Sequence, residues 1–368
     1  MPLEQYLDHE NSGRGYQLAS KEKIADKLRG YKAVKKLVDR YTEPVVEDPP
    51  ENVERYGATG AYHGRRILVN ESVYGSHSQK GTITAQYHEN PFCFSRSIIG
   101  LKLTNQSVEN YKTLLGVLWS SLARYYFFMT TTNWGVWNYK ILVGELMDLP
   151  IDFRNDGSGY KIIRAVDKLL NYQPTHKDLL NRDGEFEDRI DETRRLLEDD
   201  LDNAVFEYYG MTEEQKDLVR DFCSITLPFF YEPYDSLGTM PLTEEDLLWL
   251  QNNYIKVFIG KWKAYLDDDS KMETVIHSDS SNSMIAIEFY PVDKADTSNL
   301  HFKRNDSWRS VMGRFSDTSH TCPNASQIII DGVFHVVSNT AIIILKRNEK
   351  RFWTKSLARE DADITLSR

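Results

Sequence analysis

Asp48-Pro49-Pro50-Glu51 is the first stretch of this 368-residue sequence whose types and spacing suggest chemistry. A polar residue, two prolines and an aromatic ring can hold the amino group of a flipped base and stack on it. Here Glu51 stands where the ring is needed, and the stretch lies among acids and prolines instead of at the end of an apolar strand. Gly57, Gly60 and Gly64 have the look of a phosphate-binding loop, but such a loop follows a strand and opens a helix. These glycines lead into the strand-like run Ile67–Val69, so they read as a turn. Glu288 lies in an apolar run, yet no lysine follows two residues later to complete a metal-dependent nuclease triad. None of the 9 histidines pairs at metal-ligand spacing, and His335, alternating within an apolar run, reads as a core histidine. Cys93, Cys223 and Cys322 are too far apart for a zinc knuckle or a disulfide framework. No serine, cysteine or histidine falls in a recognisable nucleophile motif. The expectation is a chain with no catalytic residue and no metal ligand. A degenerate nuclease would have to rest on Arg351-Phe352-Trp353-Thr354-Lys355 and the acids Glu360, Asp361 and Asp363.

Composition bounds what can position such residues. A hydrophobic fraction of 40% is enough for two or three domains, each with its own core. No apolar run reaches the roughly 20 residues of a membrane helix, and the start lacks a signal-peptide pattern, so a soluble cytoplasmic protein is expected. A net charge of −10 argues against indiscriminate nucleic-acid binding, which rewards concentrated positive charge. The acidity is uneven, with an excess between Glu185 and Glu214.

The elements follow from periodicity. Ile24, Leu28, Tyr31, Val34 and Val38 predict a helix over 21–40, capped by Ser20. Its other face carries Lys21, Lys23, Lys27, Lys32, Lys35, Lys36 and Arg40, which reads equally as a solvated face or as a phosphate contact. Thr42 to Glu54 reads as an acidic, proline-rich linker. Short strands are expected at Ile67–Val69, Ile83–Ala85, Phe92–Phe94 and Ile98–Leu103, then a helix from Val108 to Met129. Tyr160–Leu170 is amphipathic, and Phe186, Ile190, Leu197, Leu201, Val205 and Tyr208 form a second stripe. Gly210 stops that helix, and Thr212-Glu213-Glu214-Gln215 is a capping box for the next. Thr243 caps a helix through Leu247, Leu250, Tyr254, Phe258, Trp262 and Tyr265. Strands are expected at Ile285–Tyr290, Ile328–Ile330, Phe334–Val337 and Ala341–Lys346. The pattern is α+β, in four pieces: 1–59, a basic helix and acidic linker; 60–152, strand-rich with a long helix; 153–226, a helical arm; and 227–368, a second small α+β domain.

One ordered set of motifs stands out. Arg65-Arg66-Ile67-Leu68-Val69-Asn70-Glu71 is followed by Phe92-Cys93-Phe94-Ser95-Arg96-Ser97-Ile98-Ile99-Gly100-Leu101-Lys102-Leu103. Then come Leu114-Leu115-Gly116-Val117-Leu118-Trp119-Ser120-Ser121-Leu122-Ala123-Arg124-Tyr125-Tyr126, Trp134-Gly135-Val136, Ile141-Leu142-Val143 and Leu149-Pro150-Ile151. This order resembles the TaqI-like C-terminal specificity domain, the target-recognition domain of adenine-specific DNA methyltransferases and fused restriction-modification enzymes. The resemblance covers about residues 60–152. The later run Asp202 to Thr212, ending in Tyr209-Gly210-Met211-Thr212, also looks like that family's spacer. The chain departs from the family in lacking the upstream catalytic domain and in carrying Trp137 where the family is usually polar.

The resemblance implies readout of double-stranded DNA: side chains read base edges in a groove, and another module flips and methylates the adenine. The residues expected to contact bases or phosphates are Arg65, Arg66, Ser76, His77, Gln79, Lys80, Thr82, Gln86 and Arg96. Thr130, Thr132, Asn133, Asn138 and Lys140 are expected to line the same face, with Trp134 and Trp137 as packing anchors. No cofactor is expected in this chain; S-adenosylmethionine would belong to a partner DNA methyltransferase or restriction subunit, in a restriction-modification or phage-defence complex. The alternative is a protein-interaction scaffold whose recognition domain has degenerated, which the acidic arm and the net charge would suit.

Overall fold

The strand Arg66–Asn70, apolar between its polar end residues, is buried along its length because both of its faces are covered. Ile67 and Val69 join a core shared with helices, whereas Leu68 joins a second core with Tyr16, Leu28, Val34, Leu37, Phe92 and Phe94. The computed structural model describes residues 1–20, 26–72, 81–132, 134, 140–154, 156–172, 192–278, 283–294, 301–304, 309–313, 326–330, 333–338 and 340–367. The protein is α+β and forms two compact units, Met1–Val219 and Arg220–Arg368.

In the first unit an antiparallel sheet runs in the order β1 (Gly13–Arg14), β9 (Ile98–Leu101), β6 (Arg66–Asn70), β7 (Ala85–His88). Beside it β2 (Gln17–Leu18) pairs with β5 (Val53–Arg55). A third group places β3 (Ala33–Val34) between antiparallel β4 (Val46–Glu47) and parallel β8 (Cys93–Phe94). Helices α1 (Val108–Trp119), α2 (Ser121–Thr130), α3 (Val143–Met147), α4 (Tyr160–Leu170) and α5 (Glu192–Tyr208) complete it, and α6 (Glu213–Asp221) leads into the second unit. The pieces expected as 1–59, 60–152 and 153–226 share one core, in which Leu3 and Leu7 meet Ile67, Leu115, Ile151, Ile162 and Leu201. Main-chain bonds Leu3 N to Leu149 O and Ile151 N to Met1 O, both 2.8 Å, tie residues 1–3 to residues 149–151.

Three expectations give way here. Residues 26–40 do not continue a helix: Gly30 has φ +90, and Ala33–Val34 is a strand between two others. Of the apolar residues expected to form its stripe, Leu28 and Val34 are buried and Tyr31 and Val38 are half-buried, while Leu37, outside the stripe, is buried. The acidic stretch after Thr42 is not a linker but supplies β4 and β5, with Lys32 and Lys35 paired to Asp48 (2.6 Å) and Glu47 (2.5 Å). The long helix breaks at Ser120, whose backbone is extended and whose hydroxyl caps α2 by accepting from Ala123 N (3.3 Å). In contrast, Gly210 (φ +66) follows the end of α5, and the capping box at α6 is reciprocal, Gln215 N to Thr212 Oγ1 3.4 Å and Thr212 N to Gln215 Oε1 2.9 Å.

The second unit carries a six-stranded sheet in the order β12 (His301–Arg304), β10 (Ser270–Ser278), β11 (Met284–Asp293), β15 (Ile342–Arg347), β14 (Val333–Val337), β13 (Ser326–Ile330). All pairs are antiparallel except β10 with β12. Its helices are α7 (Leu227–Tyr231), α8 (Leu247–Leu250), α9 (Lys256–Trp262) and α10 (Lys355–Leu366). Thr243 opens the α8–α9 stretch by a capping box with Asp246. Ile276, Ile287, Phe289, Ile342 and Ile344 pack one sheet face against Tyr254, Phe258, Ala358 and Ala362. No helix among the described residues is long and apolar enough to cross a membrane.

Candidate nucleic-acid interface

Five segments meet at the C-terminal end of β6. Asn70 is the buried joint: its side chain accepts from Leu37 N (3.2 Å) and donates to Leu37 O (2.8 Å). The next residue, Glu71, donates its N–H to Ser97 O and accepts from Ile141 N, both at 2.8 Å. Ser95 and Ser97 donate their hydroxyls to Lys35 O at 2.6 and 3.1 Å. Ser72 and Lys140 form an isolated antiparallel bridge. These bonds use backbone groups that would otherwise be unpaired at the end of a sheet, and they fix where the neighbouring side chains emerge.

Those side chains are mostly cationic. Arg14 is ion-paired to Glu71, and Lys140 Nζ stands 4.0 Å from the same carboxylate, with both cations nearly half exposed. Arg96 sits exposed at the turn between β8 and β9, and Lys36 is exposed beside Lys35. Arg14 and Lys140 therefore share Glu71 and Lys35 pairs with Glu47, while Lys36 and Arg96 follow Lys35 and Ser95, which are hydrogen-bonded to each other. Exposed pairs of this kind contribute little to stability, about 0–1 kcal/mol each, and their cations stay available to an anionic partner. Ser72 and Lys140 also adjoin residues 73–80 and 135–139 in the chain.

The expected contact residues divide accordingly. Arg96 and Lys140 lie at this end. Thr132 lies near it, since Glu145 accepts from Thr132 N and Oγ1 (3.1 and 3.2 Å) and from Leu142 N (2.9 Å), two residues beyond Lys140. Ser76, His77, Gln79, Lys80, Asn133 and Asn138, with Trp137, are outside the described residues. Arg65 precedes β6, at the other end of the strand, and donates to Gln106 O (2.7 Å) and Glu89 (3.3 Å). Thr130 closes α2 with its hydroxyl on Tyr126 O (2.7 Å).

Arg66, Thr82 and Gln86 are corrections: all three are buried. Arg66 shares the inward face of Leu68, donates to Gly64 O (2.7 Å) and Asn90 O (2.6 Å), and lies 4.4 Å from the Phe92 ring centroid. Burial lowers its pKa to about 10. Gln86 stands opposite Leu68 across the sheet. Its Nε2 donates to Asp39 O and Thr42 O, both 2.8 Å, and its Oε1 faces His88 Nε2 at 2.9 Å. Burial, with the Arg66 charge, pushes His88 down to about 4. Gln86 thus holds the 39–42 turn on the sheet, and Arg66 holds the 64 and 90 turns. Trp134 is a buried anchor, stacked on Phe127 with centroids 5.6 Å apart.

Sequence reasoning missed Arg14 and the organising role of Asn70 and Glu71. Arg14 stands in a two-residue strand, too short for any periodicity, while Lys35 and Lys36 were placed on a helix that does not form. Among the described residues no three His, Cys, Asp or Glu side chains are grouped to hold a metal ion. No family model matches this chain, and no curated relative matches it.

Proposed function

We propose that this chain is a DNA target-recognition subunit that reads a short duplex sequence for a partner methyltransferase or restriction subunit, which holds S-adenosylmethionine and modifies adenine. The observation that carries the reading is the end of the β6 sheet, where Arg14 and Lys140 meet at Glu71 and the exposed Lys36 and Arg96 adjoin the bonded pair Lys35 and Ser95, on an otherwise acidic protein. Phosphate contacts of this type position a protein on DNA without reading sequence. Readout then falls to the polar residues next to it in the chain, Ser76, His77, Gln79 and Lys80 on one side and Asn138 on the other. The ordered motifs over 60–152 support the same reading.

A scaffold role is the second reading. It is favoured by the net charge of −10 and by an apolar cavity of about 430 Å³ in the first unit, lined by Tyr125, Tyr126, Leu149, Pro150, Tyr209 and Leu218 among others. The two readings separate in a selection from random duplexes, with the chain alone and with a candidate methyltransferase. Target recognition predicts enrichment of one short sequence in at least one sample. Absence of enrichment in both contradicts it and leaves the scaffold.

A further inference from the structure

Just past the end of β6 two cations share one carboxylate. Arg14 is ion-paired with Glu71 Oε1, and Lys140 Nζ stands 4.0 Å from Glu71 Oε2. Among the described residues neither cation is paired with any other carboxylate. The two sides of this arrangement are held differently. Glu71 is 7% exposed, and its main chain is fixed in both directions, the N–H donating to Ser97 O and the C=O accepting from Ile141 N, each at 2.8 Å. The Arg14 and Lys140 side chains are 42% and 47% exposed. The carboxylate is thus set in the sheet end, while the cations stay open to solvent on long, rotatable side chains.

The charges do not balance, since two positive groups face one negative group. Arg14 alone would match Glu71, so Lys140 adds a charge that the fold does not require. The sheet end is already closed by the main-chain bonds of Glu71 and by the Asn70 side chain on Leu37. Half-exposed ion pairs add little to that closure. A carboxylate and a phosphodiester each carry one negative charge, and an arginine fork fits both. Arg14 and Lys140 can therefore turn from Glu71 to a phosphate without either being buried.

We propose that Glu71 is a built-in competitor for the DNA backbone: it holds Arg14 and Lys140 in the free chain, and a duplex phosphate must take them from it. This rests on the target-recognition reading and adds a regulation of its phosphate contact. The handicap falls on every duplex alike, because phosphate contacts carry no sequence information. Stable binding then depends on what the base contacts supply in addition.

The test is the salt dependence with which the full chain binds a fluorescently labelled duplex of random sequence. Glu71→Gln keeps the side-chain shape and removes the charge. It is expected to bind up to about fivefold tighter at low salt. Its slope of log affinity against log salt should be steeper by about 0.9, one further phosphate neutralised. Glu109→Gln makes the same charge change on the first turn of α1, near Arg65 at the opposite end of β6, and should leave the slope unchanged. A second route does not depend on the folding of Glu71→Gln. With two cations on one carboxylate only one charge is in surplus, so Arg14→Gln or Lys140→Gln lets Glu71 pair fully with the cation that remains. Each single variant should therefore lose about 0.9 of slope, close to the loss in the double variant. Losses that add in the double variant, an unchanged slope in folded Glu71→Gln, or an equal steepening in Glu109→Gln overturns the proposal. No duplex binding by the natural chain at low salt contradicts target recognition itself, and the competitor role falls with it.

Discussion

Gln86 and Arg96 show why residue type alone misassigns roles. Both are polar, both lie in the strand-rich stretch and both can read a base. Gln86 instead faces inward across from Leu68, while Arg96 is at an exposed turn. Gln86→Ala removes the partner of two carbonyls and is expected to lower stability by about 1–3 kcal/mol with sequence preference unchanged. Chemical denaturation and competition with mismatched duplex measure the two effects, and a changed preference with normal stability would return Gln86 to the readers. His88 makes a second prediction at this scale. Its pKa falls from 6.5 to about 4 on folding, so the unfolded chain binds more protons within that window. The stabilisation is fully present above pH 6.5 and is lost as the pH falls towards 4, up to about 3 kcal/mol. His88→Gln should flatten the stability profile over this interval relative to the natural chain, and parallel profiles would contradict it. The polar character of these residues was legible in the sequence; their burial was not, because it depends on pairing with strands distant in the chain.

Helices and caps were the more legible elements. The amphipathic pattern of α4, the stop at Gly210 and the capping box at Thr212 all depend on residues within one or two turns. The stretch 26–40 satisfies a helical period at Leu28, Tyr31, Val34 and Val38, yet Val34 belongs to β3, held between β4 and β8, strands that are distant in the chain. A glycine at position 30 was the available signal against the helix. Ser120-Ser121 similarly marked the break between α1 and α2, since a serine caps a new helix more readily than it continues an old one. Gly116 tests the packing of these elements. A Cβ there would lie 2.3 Å from Ile162 Cγ2 and 3.0 Å from Val166 Cγ2, so α4 approaches α1 over a bare backbone. Gly116→Ala gains roughly 1 kcal/mol of helix propensity, against about 1–3 kcal/mol for overpacking. With two branched neighbours in contact, the clash should win. Thermal unfolding is expected at lower temperature, and a raised midpoint would contradict the close α1–α4 contact.

At the scale of the whole molecule, net charge and local charge point in opposite directions. An excess of ten negative charges argues against general affinity for DNA, yet several cations share the one sheet end that adjoins the polar segments. Fold class was legible because alternating and helical patterns recur in both halves. The meeting of 14, 71 and 140 was not, since it arises from pairings across as many as 69 positions. The most direct measurement is the salt dependence of duplex binding by the natural chain and by the triple variant Lys36→Ala, Arg96→Ala, Lys140→Ala. Each phosphate contact contributes about 0.9 to the slope of log affinity against log salt. The variant should bind more weakly at low salt with a slope smaller by about 2–3. An unchanged slope would contradict the assignment of this face, and no duplex binding by the natural chain at low salt would contradict target recognition itself.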